Sequence, residues 1–186
     1  LAVLADGMGG YSAGEVASGI AVNVVSSGLM PELRSGRELS KVDVQSGLTH
    51  AAMLLSQQIA AANKGIYEAA QARPECAGMG TTIVAAVFFG NRVSIGHIGD
   101  SRCYRLRGDK LEQLTHDHSL LQEQIDSGMI SKEQARYSQN KNLVTRAVGI
   151  DPEVDTEIHT YEVAAGDIYL LCSDGLPDGL YNHAIE

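Results

Sequence analysis

Three apolar runs along the chain each lead into an aspartate flanked by small residues. They are residues 1–5 before Asp6, residues 93–98 before Asp100, and residues 168–172 before Asp174. Such a run predicts a buried strand that carries a carboxylate to the edge of a sheet. A single Asp-Gly junction is more often a turn than a ligand. Together, the three junctions indicate a site for a hard cation, because Mg²⁺ and Mn²⁺ select oxygen ligands.

Two long segments have apolar residues at helical spacing. Ser12 and Glu15 have the spacing of a capping box, which predicts a helix from residue 12 to about residue 28. A second, longer helix is predicted from about residue 44 to residue 72. The polar segment 31–41 between them has no clear period and is predicted to be a loop.

The rest of the chain alternates in the manner of antiparallel strands. Strands are predicted at residues 81–89, 92–98, 103–106, 110–114, 155–161 and 168–172. Helical spacing returns over 116–135, where Ser131 and Gln134 form a second capping box. The polar segment 136–142 is interpreted as either a flap over a site or a plain surface connection. Strands and helices come in blocks, so an α+β fold with helices layered on antiparallel sheet is predicted.

Length and composition predict one folded domain over residues 1–186. Hydrophobic residues make up 44% of the 186 positions and charged residues 20%. The net charge of −9 disfavours nucleic acid and anionic membranes as partners. No apolar run reaches about 18 residues, so no membrane segment is predicted. The chain opens inside a strand and closes at 182–186 on what resembles a first helical turn, so both ends are interpreted as cut.

The three cysteines predict a reducing compartment. Cys76, Cys103 and Cys172 are dispersed, odd in number and without C-x-x-C spacing. This distribution indicates reduced thiols in a cytoplasmic protein rather than a disulfide framework or a zinc site. Cys172 lies in an apolar run and is interpreted as a small buried side chain, not as a nucleophile.

Six motifs occur in a characteristic order along the chain. They are Asp6-Gly7-Met8-Gly9-Gly10, Gly78-Met79-Gly80-Thr81-Thr82, Gly99-Asp100-Ser101-Arg102, Leu114-Thr115-His116-Asp117-His118-Ser119, Leu143-Val144-Thr145-Arg146-Ala147-Val148-Gly149 and Cys172-Ser173-Asp174-Gly175-Leu176-Pro177-Asp178. The set closely resembles the bacterial branch of the metal-dependent PP2C-type (PPM) serine/threonine protein phosphatases. This resemblance implies a sandwich of two antiparallel β-sheets flanked by helical layers, with a binuclear Mn²⁺ or Mg²⁺ centre at its edge.

The resemblance also assigns metal ligands. Asp6 matches the acid that bridges the two ions, Gly7 the residue that lends its backbone carbonyl, and Asp174 a ligand of the second ion. Asp100 matches an acid that helps to hold a third, weaker ion in many bacterial members. Asp178 matches a nearby acid that supports the ligands or contacts the third ion.

The implied reaction needs no nucleophilic side chain. Two divalent cations about 3.5–4 Å apart acidify a bridging water, which attacks the phosphorus in line. The expected function is therefore hydrolysis of phosphoserine and phosphothreonine in proteins, opposing a cognate kinase in bacterial signalling. The alternative is a catalytically impaired fragment or pseudophosphatase that acts as a binding or regulatory domain. A metal-dependent nuclease is a third, remoter hypothesis, which the acidic charge disfavours.

Several positions depart from the family pattern or carry weaker assignments. The family's arginine and acid of an earlier strand, and its later Gly-x-x-Asp-Asn motif, have no counterpart in this sequence. Met8 stands where some eukaryotic members have a histidine proposed as general acid, and Pro177 replaces a more usual polar or aromatic residue. Arg102 is interpreted as orienting Asp100 or another acid. A packing or structural role is expected for three histidines: His97, His116 and His118.

Overall fold

The computed structural model describes residues 1–9, 12–135, 138 and 143–179, with only the backbone of 178 and 179. Its helices are α1 (Ala13–Arg34), α2 (His50–Ala72), α3 (Leu120–Asp126), α4 (Lys132–Ala135) and α5 (Gly175–Gly179), and a 3-10 turn spans Pro74–Cys76. Its strands are β1 (Ala2–Leu4), β2 (Gly7–Met8), β3 (Gly80–Thr81), β4 (Ile83–Phe89), β5 (Arg92–Ile98), β6 (Arg102–Arg107), β7 (Lys110–Gln113), β8 (Glu157–Glu162) and β9 (Ile168–Cys172).

The strands form two main antiparallel sheets. One has the order β1-β4-β5-β8 and the other β7-β6-β9, while β2 and β3 form a short separate pair. Strand β4 explains the layering, because its side chains alternate between two apolar cores. Ile83 and Ala85 pack with α1 and α2, whereas Val84 and Ala86 pack with the second sheet. Burial on both faces accounts for the nearly continuous apolar run of this strand. The predicted α+β sandwich with a helical layer is confirmed.

Helix α1 is longer than its sequence predicted, and its predicted capping box is wrong. It continues past residue 28 to Arg34 with Pro31 inside it. Leu29 before the proline is fully buried and Leu33 after it packs against the same core, so the continuation gains apolar contacts that oppose the loss of the hydrogen bond at proline. Ser12 precedes the helix, but its side chain makes no capping hydrogen bond.

The start of α2 also differs from the prediction. The helix begins at His50, and the Thr49 hydroxyl accepts a hydrogen bond from the Ala52 amide. The residues before it are held in a turn instead, because the Asp43 carboxylate accepts from the amides of Gln45 and Ser46. A local side-chain bond of this type competes with helix formation, so the apolar spacing from residue 44 placed the helix start too early.

The predicted helical segment 116–135 is two short helices. Helix α3 is capped by the Ser119 hydroxyl, which accepts from the Gln122 amide. The capping box of Ser131 and Gln134 is confirmed by reciprocal side-chain bonds at α4. The candidate flap at 136–142 is described only at residue 138, and the helical turn expected at 182–186 lies outside the described residues.

Among the described residues, α1 is the one helix long and apolar enough to match a membrane span. Such a match is weak evidence, because the core helices of soluble proteins satisfy the same criterion. Its stripe of Ala17, Ala21, Val25 and Leu29 is buried in the core between the helices and the first sheet.

Replacing Asn63 should destabilise the fold. Its Oδ1 accepts from the Gly149 amide at 2.6 Å, and its Nδ2 donates to the carbonyls of Asp151 and Pro152. Asn63→Ala leaves these backbone groups unpaired, so we expect a loss of about 2–3 kcal/mol in the free energy of unfolding. Urea denaturation measures it. The exposed Asn23→Ala serves as control, with an expected change within about 0.5 kcal/mol; equal effects for the two variants would contradict the bridging role of Asn63.

Candidate metal centre

Sheet register brings the first two aspartate junctions to the same end of the sandwich. Leu4 pairs with Val84, and Gly7 pairs with Thr81, so Asp6 lies opposite Thr82 in the same register. On the other side of β4, Ile83 pairs with Ile98. One step further along this register, Thr82 lies opposite Gly99, the residue before Asp100. Thr82 therefore lies between the Asp6 junction and the Asp100 junction.

The third junction joins them through the second sheet. Arg102 of β6 pairs with Cys172 of β9. Because this pairing is antiparallel, extending it by two residues places Asp100 opposite Asp174. Electrostatics agree with that placement: burial, together with the charges of Asp174 and Asp117, raises the pKa of Asp100 to about 6. Carboxylates that crowd together in a partly buried region favour a bound divalent cation.

Asp117 differs from Asp100 because it has a permanent counter-ion. The Arg102 Nε lies 3.0 Å from each carboxylate oxygen of Asp117, and Gln113 Nε2 donates to Oδ1 at 3.0 Å. Both side chains of this ion pair are mostly buried. The acid that Arg102 orients is therefore Asp117. Nothing in the spacing of the sequence distinguished Asp117 from the other residues of its motif, and this neighbour of the site was missed.

The Asp6-Gly7 segment, which leads into β2, is exposed and packs against α1. A Cβ on Gly7 would lie 1.9 Å from the carbonyl oxygen of Gly14, so this position accepts only glycine. Gly9 has a φ of +144°, which also favours glycine. The first turn of α1 thus holds this segment in place and leaves Asp6 itself exposed. Asp178 lies in α5, and its side chain is outside the described part of the chain.

A second cluster has the residue types of a metal site. The ligand atoms of His97, His118 and Glu157 lie within 4.8 Å of one another. The two imidazole rings are stacked, with centroids 4.8 Å apart. Cation binding there depends on which ring nitrogens carry protons.

Hydrogen bonds fix the protons of this cluster. His118 Nδ1 accepts from the Gly99 amide at 3.1 Å, so the neutral ring carries its proton on Nε2. That nitrogen faces Glu157 Oε2 at 3.2 Å and the Arg146 guanidinium at 3.4 Å. A histidine that ligates a metal usually donates its other ring N–H, whereas here the other nitrogen is an acceptor. We therefore interpret His118 as a hydrogen-bonded support. His97 donates from Nε2 to the His116 carbonyl at 2.8 Å and keeps an unprotonated Nδ1, so its structural role stays a prediction.

Comparison with known proteins places the chain among protein phosphatases. The profile of the Protein phosphatase 2C family matches residues 1–185. The serine/threonine protein phosphatase PstP of Mycobacterium tuberculosis is 38% identical over 185 residues, which are 100% of this chain and 33% of PstP. The serine/threonine phosphatase Stp of Listeria innocua is 38% identical over 176 residues, which are 95% of this chain and 66% of Stp.

A solved structure supports the same comparison. The crystal structure of the PstP catalytic domain in complex with two manganese ions has a TM-score of 0.82 and 37% identity. The alignment covers 98% of this chain and 70% of that one. The chain therefore spans a third of the length of PstP and about two thirds of Stp.

Removing the charge of Asp100 should stabilise the metal-free protein. Asp100→Asn removes a charge that burial and the charges of Asp174 and Asp117 disfavour. We therefore expect a midpoint of thermal unfolding higher by about 2–4 °C in EDTA at pH 7.5. Added Mn²⁺ should raise the midpoint of the wild type more than that of the variant. The control is Asp109→Asn in the exposed β6–β7 turn. A less stable Asp100→Asn protein in EDTA would contradict the crowding.

The histidine cluster should make the fold sensitive to acid. Burial lowers the pKa of His97 and of His118, so below pH 6.5 the unfolded chain binds more protons than the folded protein. Stability therefore falls as the pH is lowered from 7 to 5. The slope of the free energy of unfolding against pH is measured by urea denaturation between pH 5 and 7. The Asp100→Asn background is used because the raised pKa of Asp100 gives a slope of opposite sign. His118→Gln should reduce the measured slope and His50→Gln should not; an unchanged slope in His118→Gln would refute this assignment.

Proposed function

The chain belongs to the protein phosphatase 2C family, and from that premise we propose that it is the interior of one catalytic domain that hydrolyses phosphoserine and phosphothreonine in proteins. The observation that carries the proposal is the convergence of the three aspartate junctions. The register of β1–β4–β5, when extended, places Asp6 and Gly99 on either side of Thr82, and the register of β6–β9, extended by two residues, places Asp174 opposite Asp100. A cation site of the predicted kind requires this arrangement.

The donor set fits Mn²⁺ or Mg²⁺. In this proposal Asp6, the Gly7 carbonyl and Asp174 hold two ions, and Asp100 with Asp178 serves a third. All of these donors are oxygens, as hard cations require. Burial and the charges of Asp174 and Asp117 raise the pKa of Asp100, and a bound cation would oppose that shift. Divalent cations bound there would supply an acidified water and stabilise the charge of the phosphoryl group.

The chain's own residues have three tasks in this reaction. The carboxylates of the three junctions fix where the divalent cations would bind. The glycines around Asp6 keep side chains away from this exposed segment. Asp117 binds the guanidinium of Arg102, which would otherwise compete with a divalent cation for Asp100. Met8 has no proton to give, so the departing seryl or threonyl oxygen takes its proton from water or from another group.

The proposed substrates are proteins phosphorylated by a serine/threonine kinase, and the proposed location is the bacterial cytoplasm. The similar proteins PstP and Stp are serine/threonine phosphatases, which supports the substrate class. Cys76, Cys103 and Cys172 are all free and buried, as expected for thiols in a reducing compartment.

Loss of a proposed ligand should abolish hydrolysis. With Mn²⁺, the intact protein should release phosphate from a phosphothreonine peptide. Asp6→Asn and Asp174→Asn should each lower kcat by about 10³-fold, because several kcal/mol of charge stabilisation are lost. The exposed Asp155→Asn is the control and should leave kcat unchanged.

Two results would contradict this function. A wild-type protein that neither binds Mn²⁺ nor releases phosphate would exclude a metal-dependent phosphatase. Tight Mn²⁺ binding without hydrolysis of any phosphopeptide would instead favour a regulatory pseudophosphatase. Isothermal titration with Mn²⁺, performed beside the phosphate assay, separates these outcomes.

A further inference from the structure

Thr82 occupies the central position between two of the aspartate junctions. It follows the short strand β3 and precedes β4, and it is 3% exposed. The extended registers of β1–β4 and β4–β5 place it opposite Asp6 on one side and Gly99 on the other. The two carboxylate-bearing segments are thus separated at this level by this single residue.

Thr82 binds the backbone of Asp6 through two groups. Its Oγ1 accepts from the Asp6 amide at 3.0 Å, and its own amide donates to the Asp6 carbonyl at 2.9 Å. The Asp6 carbonyl also accepts from the hydroxyl of Thr81 at 2.9 Å. The backbone of Asp6 is therefore held at both its N–H and its C=O, while the carboxylate stays available.

The same Thr82 hydroxyl reaches the Asp100 segment. Thr82 Oγ1 and Ser101 Oγ lie 2.7 Å apart and share a hydrogen bond, and Ser101 is 1% exposed. The Thr82 hydroxyl thus links Asp6 with Ser101, the residue that follows Asp100. Buried hydroxyl pairs of this kind have few alternative partners, so the bond is strongly maintained.

The methyl group of Thr82 lies against Gly99, the residue before Asp100. A Cβ on Gly99 would lie 2.7 Å from Thr82 Cγ2, and Gly99 has a φ of +101°, so both space and backbone conformation require glycine there. Thr82 therefore contacts both neighbours of Asp100, Gly99 through the methyl group and Ser101 through the hydroxyl.

His118 holds the same turn from the opposite side. The Gly99 amide donates to His118 Nδ1 at 3.1 Å, and the Gly99 carbonyl accepts from the His118 amide at 3.0 Å. With Gly99 bonded at both backbone groups, the turn can shift toward or away from Asp6 only if the contacts of Thr82 change.

We propose that Thr82 is a positioning residue that sets the separation of the Asp6 and Asp100 carboxylates and thereby the affinity of the site for divalent cations. This inference rests on the proposed function. Because Asp6 is proposed to hold the two-ion pair and Asp100 the third ion, the separation of the two carboxylates sets where the third ion lies relative to the pair, and ligand distances of about 2.1 Å leave little tolerance for displacement. In this proposal Thr82 is not a ligand, and it acts through the backbone on either side of it.

The test is Mn²⁺ binding to the intact protein after removal of metal with EDTA. Thr82→Val keeps the shape and removes the hydroxyl, so it should weaken Mn²⁺ binding by about 10-fold in isothermal titration, a change of ~1.4 kcal/mol. Thr82→Ser keeps the hydroxyl and should stay within about 3-fold of wild type. The Mn²⁺ concentration for half-maximal activity should rise in Thr82→Val, with KM for the phosphopeptide unchanged.

Thr49→Val is a matched control. Thr49 is also buried, and its Oγ1 likewise accepts from a backbone amide, that of Ala52 at 3.2 Å, and lies 3.3 Å from the Ser94 hydroxyl. It lies at the start of α2, outside the metal centre. Its replacement should lower the midpoint of unfolding as Thr82→Val does, but leave Mn²⁺ affinity at the wild-type value.

A double-mutant cycle identifies the bond responsible. Ser101→Ala removes the other partner of the 2.7 Å contact, so it should weaken Mn²⁺ binding in the same direction. The combined variant should bind Mn²⁺ no more weakly than Thr82→Val alone, because the Thr82–Ser101 hydrogen bond that Ser101→Ala breaks is already absent in Thr82→Val.

The outcomes separate this inference from the proposed function. Wild-type Mn²⁺ affinity in Thr82→Val, with stability lowered as in Thr49→Val, would overturn the positioning role and leave the phosphatase proposal standing. Additive losses in the combined variant would likewise exclude the shared hydrogen bond as the cause. A wild-type protein that binds no Mn²⁺ would overturn the proposed function and this inference with it.

Discussion

Like charges held close together are the constraint on which the rest of this structure depends. Asp100 lies near both Asp174 and Asp117, and burial together with these neighbours raises the pKa of Asp100 to about 6. An arrangement of this kind opposes folding unless other interactions impose it. Here the imposing interactions are the ladders of β1–β4–β5 and β6–β9, whose last pairs lie two residues from the aspartates. The apolar cores on either side of β4 hold those strands in place.

The strands and their junctions could be predicted from the sequence, whereas the helix boundaries could not. Apolar runs such as that of β4 depend on burial at nearly every position, with Phe88 the exposed exception, and the sequence records this burial directly. Helix starts depend on which side chain captures a backbone amide, and Asp43, Ser12 and Thr49 all have the chemistry to do so. Only the tertiary contacts decide among them. For the same reason Pro31 did not end α1, because Leu33 beyond it packs against the core.

The candidate site was predictable as a set of carboxylates but not as a connected structure. Asp6, Asp100 and Asp174 stand at the ends of apolar runs, a signal that needs no partner to be recognised. Thr82 and Ser101 act through hydrogen bonds between segments, and their sequence spacing gives no sign of such a bond. The motif of Asp117 and His118 was recognised in the sequence, yet the pairing of Asp117 with Arg102 and of His118 with Gly99 appears only in the folded chain.

Two ways of compensating buried charge occur side by side at this end of the sandwich. Asp117 has a fixed counter-ion, since the guanidinium of Arg102 binds both of its oxygens. The same guanidinium lowers the pKa of Asp100, but burial and the charges of Asp174 and Asp117 outweigh this effect and raise it to about 6. A permanently paired acid gives rigidity, because breaking a buried ion pair leaves an uncompensated charge. An incompletely balanced acid gives affinity for a cation from solution. Arg102 lies two residues after Asp100 and opposite Cys172, and from there its guanidinium pairs with Asp117 rather than with Asp100. Asp117 is therefore a supporting carboxylate, and Asp100 is the one proposed to bind an ion.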